Sequence, residues 1–301
     1  MIGLLAFFVA QVAAPQVQRV VIHNPKSPGI SGSDTCIPLK LADLMPVIPA
    51  TVAGKPVNLA FDTGAPGGPI LIPAIIEELK LEKIGEVRMT DPSMKNVITA
   101  NRYAINDIKI GNLTIAKWEA SARPPRHLSR LYEPDGVIGL TAFAGYVVTI
   151  DYPGGRVLIT KGRLPEPDNR TSFRYEGPIP RVPLTLDDKT IDAHIDTGNA
   201  RYGLILPDSY AAQLPGYAAR YPIGVARTVN NKFELMAVPV RDSMVGALDL
   251  HAGTAAYPSP ASTGNLGTPL LRDMVVRVDP ANSIVALERA RPGLENGCPS
   301  A

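Results

Sequence analysis

Two stretches of the chain decide its fold, Val57-Asn58-Leu59-Ala60-Phe61-Asp62-Thr63-Gly64 and Ile191-Asp192-Ala193-His194-Ile195-Asp196-Thr197-Gly198. They align without a gap, 134 residues apart, and both end in Asp-Thr-Gly. At the same offset Ile70-Leu71-Ile72-Pro73 faces Leu204-Ile205-Leu206-Pro207, so an apolar strand follows each triplet. A second block repeats at an offset of 128: Ile138-Gly139 with Val147-Val148-Thr149-Ile150-Asp151 matches Leu266-Gly267 with Val275-Val276-Arg277-Val278-Asp279. The change in offset marks a loop insertion or deletion. At ordinary residue usage a chain of this length contains an Asp-Thr-Gly triplet about 0.06 times by chance. Two in matched contexts mark an internal duplication.

Each half reads as short strands punctuated by turns, with alternation in Val47-Ile48-Pro49-Ala50-Thr51-Val52 and a turn at Gly54-Lys55. The chain carries 30 Pro and 26 Gly, which break long helices and leave strands intact. Helical signal is confined to 73–81 and 207–214, each opening on a proline, so one short helix per half is predicted. Residues 161–180 contain Pro165, Pro167, Pro178 and Pro180 among mixed charges, the composition of an exposed linker. The reading is all-β, with a first lobe over 46–164, a linker over 165–180 and a second lobe over 181–301. Residues 15–45, with Pro25, Pro28, Gly29, Gly32 and Pro38, are predicted to be an extended arm without regular structure.

The 301 residues are 45% hydrophobic and 19% charged, which excludes a disordered chain. A net charge of +2, with no basic run interleaved with aromatics, gives no reason to expect nucleic acid or an anionic membrane as partner. The apolar run at 2–9 ends in Val12-Ala13-Ala14, which predicts a signal peptide over 1–14. No basic residue precedes the run and Pro15 follows it, so a buried N-terminal strand is the alternative. No later segment reaches the length of a membrane-spanning helix, and no membrane contact is expected after signal removal. The compartment predicted is periplasmic or extracellular. Cys36 and Cys298, the two cysteines, sit near opposite ends of the chain. They read as a staple between the termini, the alternative being two free buried thiols.

A glycine after Asp-Thr lets the backbone turn tightly behind the carboxylate, and the apolar strand before it carries the aspartate from the core to a cleft. Halves related by a pseudo-twofold axis would bring Asp62 and Asp196 together. Two carboxylates that close cannot both ionise, so the pair holds one proton and offers a base and an acid at once. The ionised member takes a proton from a bound water that attacks an amide carbonyl. The protonated member donates to the developing oxyanion and then helps protonate the leaving nitrogen.

These residues resemble the aspartic peptidases, in the two-lobed pepsin-like arrangement with halves close to retropepsin-like domains. The resemblance covers roughly residues 46–288. It implies two pseudo-twofold-related β lobes, a catalytic pair of Asp62 and Asp196, and active-site turns supported by Thr63, Gly64, Ala65, Thr197, Gly198 and Asn199. Thr63 and Thr197 would cross-link the turns by hydroxyl-to-backbone hydrogen bonds. Ile138-Gly139 and Leu266-Gly267 match the family's second signature in each lobe. A flap hairpin would occupy 87–103, with Ser93 and Met94 at its tip. Ala65 resembles the retropepsin form. Asn199 stands where pepsin-like enzymes carry Ser or Thr and would supply a side-chain donor to its aspartate, and Met94 replaces their flap tyrosine. The resemblance implies a peptide or protein substrate, a monomer, and no cofactor or metal.

His194 lies two residues before Asp196 and so shares its face of the strand. Protonated, it would favour a charged pair; the alternative is a satisfied core histidine. Ile70, Ile72, Leu204 and Leu206 are expected to line an apolar cleft. His23, His127 and His251 show no metal-ligand spacing, no Gly-x-Ser-x-Gly elbow is present, and Trp118 and Tyr146 read as core aromatics. Three other readings of the duplicated triplet are ordinary Asp-capped turns, a catalytically inactive pepsin-like peptide-binding module, and a glycosidase with paired carboxylates.

Overall fold

The computed structural model describes residues 28–89, 97–122, 134–227, 232–290 and 297–298. The expected signal peptide, His23, His127 and the flap tip with Ser93 and Met94 lie outside these residues. The described chain is mostly β and forms a nine-stranded sheet, a six-stranded sheet and a second nine-stranded sheet. Alternation sets the faces. In Arg181–Leu186 every second residue, Val182, Leu184 and Leu186, is buried.

The two repeated blocks become neighbours within each nine-stranded sheet. Strand Lys55–Phe61 runs parallel to Gly136–Ile138, with Phe61 opposite Ile138. Strand Lys189–Asp196 runs parallel to Gly264–Gly267, with Ile195 opposite Leu266 and Asp196 opposite Gly267. The strand after each triplet packs antiparallel on the other side of the second block, Ile70–Leu71 in one sheet and Leu204–Ile205 in the other. Each Asp-Thr-Gly turn is therefore gripped by the same three-strand frame.

The six-stranded sheet is built from both halves. The repeated strands Tyr146–Asp151 and Met274–Asp279 pair antiparallel with each other, Val148 opposite Val278 and Asp151 opposite Val275. A single apolar cluster runs from Phe61 and Ile138 through Val148 and Val276 to Ile195 and Leu266. Burial this continuous favours opening the halves together.

Three expectations change. Within 28–45 the arm forms strands Ile30–Gly32, Thr35–Pro38 and Lys40–Ala42. Thr35–Pro38 is an edge strand of the six-stranded sheet, where Pro38 needs no N–H donor. Lys40–Ala42 turns back through Asp43 and Leu44, both at positive φ, a hairpin geometry that the absence of glycine hides from a sequence reading. The linker is not fully exposed: Ser172–Arg174 pairs with Ile284–Arg289, and Phe173 and Tyr175 are buried. Among the described residues the first half has one α-helix, Pro73–Glu78, whereas the second has two, Asp208–Ala211 and Thr268–Leu271. Thr268–Leu271 is a single turn, too short to leave a periodic pattern.

Cys36 and Cys298 form a disulfide with Cα atoms 5.6 Å apart, across a sequence separation of 262. It ties the edge strand Thr35–Pro38 to the C-terminal end of the chain. Closing so long a loop restricts the unfolded chain strongly, so replacing both cysteines with serine is expected to lower the unfolding free energy by about 2–4 kcal/mol. Equilibrium denaturant unfolding of the two proteins under non-reducing conditions measures the difference.

Candidate active site

The two Asp-Thr-Gly turns interlock through their threonines. The Thr63 hydroxyl donates to the Ile195 carbonyl at 2.6 Å and accepts from the Thr197 N–H at 3.1 Å. The Thr197 hydroxyl donates to the Phe61 carbonyl at 2.6 Å and accepts from the Thr63 N–H at 3.0 Å. Both side chains are buried, so each hydroxyl satisfies two backbone groups that water cannot reach. The reciprocity follows from the duplication: a threonine one residue past each aspartate meets its own counterpart.

Gly64 and Gly198 are needed for closeness. A Cβ on Gly64 would lie 2.6 Å from Oδ1 of Asp196, and one on Gly198 would lie 2.5 Å from Cγ of Asp62. Neither glycine lies at positive φ, so what each contributes is the absence of a side chain. The second-block glycines serve the same end, since a Cβ on Gly139 would strike the Ala65 carbonyl and one on Gly267 the Tyr202 carbonyl.

Asp62 and Asp196 are thereby brought within hydrogen-bonding reach. Burial raises the pKa of Asp62 above the ordinary carboxylate range, and the Asp196 charge and the hydrogen bond between the two raise it further. The Gly64 N–H, 2.8 Å from Oδ1 of Asp62, and the Gly198 N–H oppose that rise. On Asp196, Oδ1 accepts from the N–H groups of Gly198 and Asn199 at 2.9 and 3.2 Å. Its Oδ2 accepts from Nδ2 of Asn265 at 2.5 Å. Beneath the turns, the Thr268 hydroxyl donates to the Thr197 carbonyl and lies 3.3 Å from the Tyr152 hydroxyl. Burial pushes the Tyr152 phenol well above its ordinary range, so it stays protonated.

Several sequence expectations are corrected here. The Asn199 side chain donates to Oδ1 of Asn265, not to Asp196, which receives the Asn199 backbone N–H instead. Leu204 and Leu206 are sealed in the core and line no cleft, whereas Ile70 and Ile72 are half-buried. His194 is held neutral: its Nε2 accepts from Nε of Arg181 at 2.9 Å, and burial and the Arg181 charge lower its pKa against the pull of Asp196 and Asp192. Ala65 packs with Ile70 and Ala200 against Met45, Val47, Ala60 and Val137. His251 is a surface partner of Asp249, and no cluster of potential metal ligands occurs among the described residues.

Sequence reasoning missed Asn265, Thr268 and Tyr152. Asn265 left a signal: it is the polar residue in Gly264-Asn265-Leu266-Gly267, where the first half has Gly136-Val137-Ile138-Gly139. A second hairpin was also missed. Across the range where a flap is expected, Lys83–Met89 pairs antiparallel with Ile98–Ile110, and Tyr221–Arg227 pairs with Lys232–Pro239 in the same way. Each stem has a bulge beside a glycine, Gly85 and Gly224, both at positive φ.

Residues 48–142 match a family model described as aspartyl protease. The match contains the first Asp-Thr-Gly and Ile138-Gly139, and it supports an aspartyl protease family. A search of curated proteins gives no match.

Two measurements follow from this geometry. Thr197→Val keeps the shape and strands the Thr63 N–H and Phe61 carbonyl, so it should cost at least about 1–3 kcal/mol of stability by denaturant unfolding. The unfolded chain protonates His194 near its ordinary pKa of 6.5 and the folded chain only at lower pH. Stability is therefore lost as pH falls from that value toward the folded pKa, and His194→Asn should flatten the slope of thermal midpoint against pH there.

Proposed function

We propose that the chain is an aspartic endopeptidase that hydrolyses peptide bonds with a water activated by Asp62 and Asp196. One observation carries the reading: two half-buried carboxylates, side by side across interlocked turns, with the pKa of Asp62 raised by desolvation and by the Asp196 charge. With one proton between them, the ionised carboxylate takes a proton from water as its oxygen attacks the scissile carbonyl. The protonated one donates a hydrogen bond to the developing oxyanion, and a proton then passes to the leaving nitrogen. No covalent intermediate forms. The family match over 48–142 and the recurrence of the same strand frame around both turns support this reading.

The architecture proposed is the two-lobed pepsin-like one with retropepsin-like halves, the six-stranded sheet underlying both. The substrate is an extended peptide held in strand fashion. A periplasmic or extracellular site of action agrees with the Cys36–Cys298 disulfide, and no helix among the described residues is long and apolar enough to cross a membrane. We further propose that the protein acts as a monomer without a cofactor.

Cleavage of quenched-fluorescence peptides by the purified protein from acidic to neutral pH tests the proposal. Activity should fall at low pH as the pair takes a second proton and at high pH as it loses the first. Asp62→Asn and Asp196→Asn should each reduce kcat/KM by at least about a hundredfold. Equal cleavage by all three proteins overturns the mechanism, and retained peptide binding without cleavage by the parent favours the inactive binding module. Asp62 has a raised pKa in the folded state, so its burial costs stability as pH rises above the ordinary carboxylate range. Asp62→Asn should accordingly raise the thermal midpoint at neutral pH while removing activity.

A further inference from the structure

The two halves repeat their backbone around the aspartates but not their side chains. At the position of Asn265 the first half carries Val137, and at the position of Asn199 it carries Ala65. Val137 and Ala65 belong to an apolar cluster. Asn265 and Asn199 form a directed chain of hydrogen bonds.

The chain begins at the backbone N–H of Tyr202, which can only donate, and which reaches Oδ1 of Asn199 at 3.1 Å. That fixes the Asn199 amide, whose Nδ2 donates to Oδ1 of Asn265 at 2.8 Å. The Asn265 amide is fixed in turn, with its Nδ2 aimed at Oδ2 of Asp196 at 2.5 Å. Rotating either amide would set donor against donor or carbonyl against carboxylate. The chain ends on an oxygen that must accept, and the other oxygen of Asp196 already accepts from Gly198 and Asn199. Asp62 receives the Gly64 backbone N–H at 2.8 Å, and no hydrogen-bonding side chain occupies either matching position beside it.

We infer that Asn265, anchored by Asn199, is a positioning residue that keeps Asp196 as the ionised member of the pair and leaves the shared proton on Asp62. The inference rests on the peptidase reading above and assigns the two carboxylates unequal roles: Asp196 as the base toward water, Asp62 as the hydrogen-bond donor to the substrate carbonyl. The raised pKa of Asp62 agrees in direction. The other titratable or charged groups facing Asp196 are Asp62 across the turns, neutral His194 with Arg181 and Asp192 beside it, and protonated Tyr152 below. Of these, His194 stands opposite residue 265 on the adjoining strand, so His194→Asn is combined with each variant as a control.

Asn265→Val copies the first half and removes the donor. A lost hydrogen bond to a carboxylate makes its ionised form harder to reach, so the acid limb of kcat/KM should move up by about one to two pH units. Asn199→Ala frees the Asn265 amide to rotate and should move the limb the same way by less. It also serves if the valine variant does not fold. In parallel, aspartate labelled with 13C at Cγ reports the Asp196 titration directly, assigned by its loss in Asp196→Asn. The Asp196 midpoint should be higher in both variants than in the parent. An unchanged acid limb and an unchanged Asp196 midpoint overturn the role of Asn265. A parent that cleaves no peptide overturns the peptidase reading instead, and the carboxylate titration then decides the role of Asn265 alone.

Discussion

Two carboxyl groups held side by side in a half-buried site repel if both are charged, and the turns around Asp62 and Asp196 answer that constraint. The threonine cross-links join the two turns and satisfy both hydroxyls, both threonine N–H groups and the Phe61 and Ile195 carbonyls. Gly64 and Gly198 leave no side chain between the carboxylates. Desolvation then decides that a proton stays, because burial penalises the charged form more strongly than the Gly64 and Gly198 donors stabilise it. The strand frame beneath, repeated in both sheets, supplies rigidity that loops alone would lack.

Much of this was legible because duplication writes the same residues twice. The triplets, the apolar-glycine pairs and the strands after each triplet are visible as offsets, and their side-by-side pairing follows once each is read as a strand. The cysteines were legible by number and position. What could not be read is what depends on long-range pairing. No local pattern says that Tyr146–Asp151 and Met274–Asp279 bond to each other, or that Ser172–Arg174 joins them as an outer strand. Short elements failed for a related reason: Lys40–Ala42 and Thr268–Leu271 are too brief for periodicity and owe their form to neighbours.

Side-chain chemistry near the pair was the least legible layer. Leu204 and Leu206 were read by apolarity alone, which marks core and cleft alike, and both proved to be core. His194 was placed on the correct face, but its charge depends on Arg181, a partner on the adjoining strand. Asn265 is visible only when the halves are compared for what they do not share. In a duplicated frame the conserved geometry positions two equal groups, and departures from the repeat make them unequal.

The six-stranded sheet has a temporal meaning as well. Its members are far apart in sequence: Thr35–Pro38, then Tyr146–Asp151, Arg156–Lys161 and Ser172–Arg174, and last Met274–Asp279 and Ile284–Arg289. A nascent chain on the ribosome owns one acidic turn long before it owns the second, and the seam joining the halves closes only after Met274–Asp279 has been made. Competence to form the paired site therefore arrives at once and late, so a truncated translation product is without it.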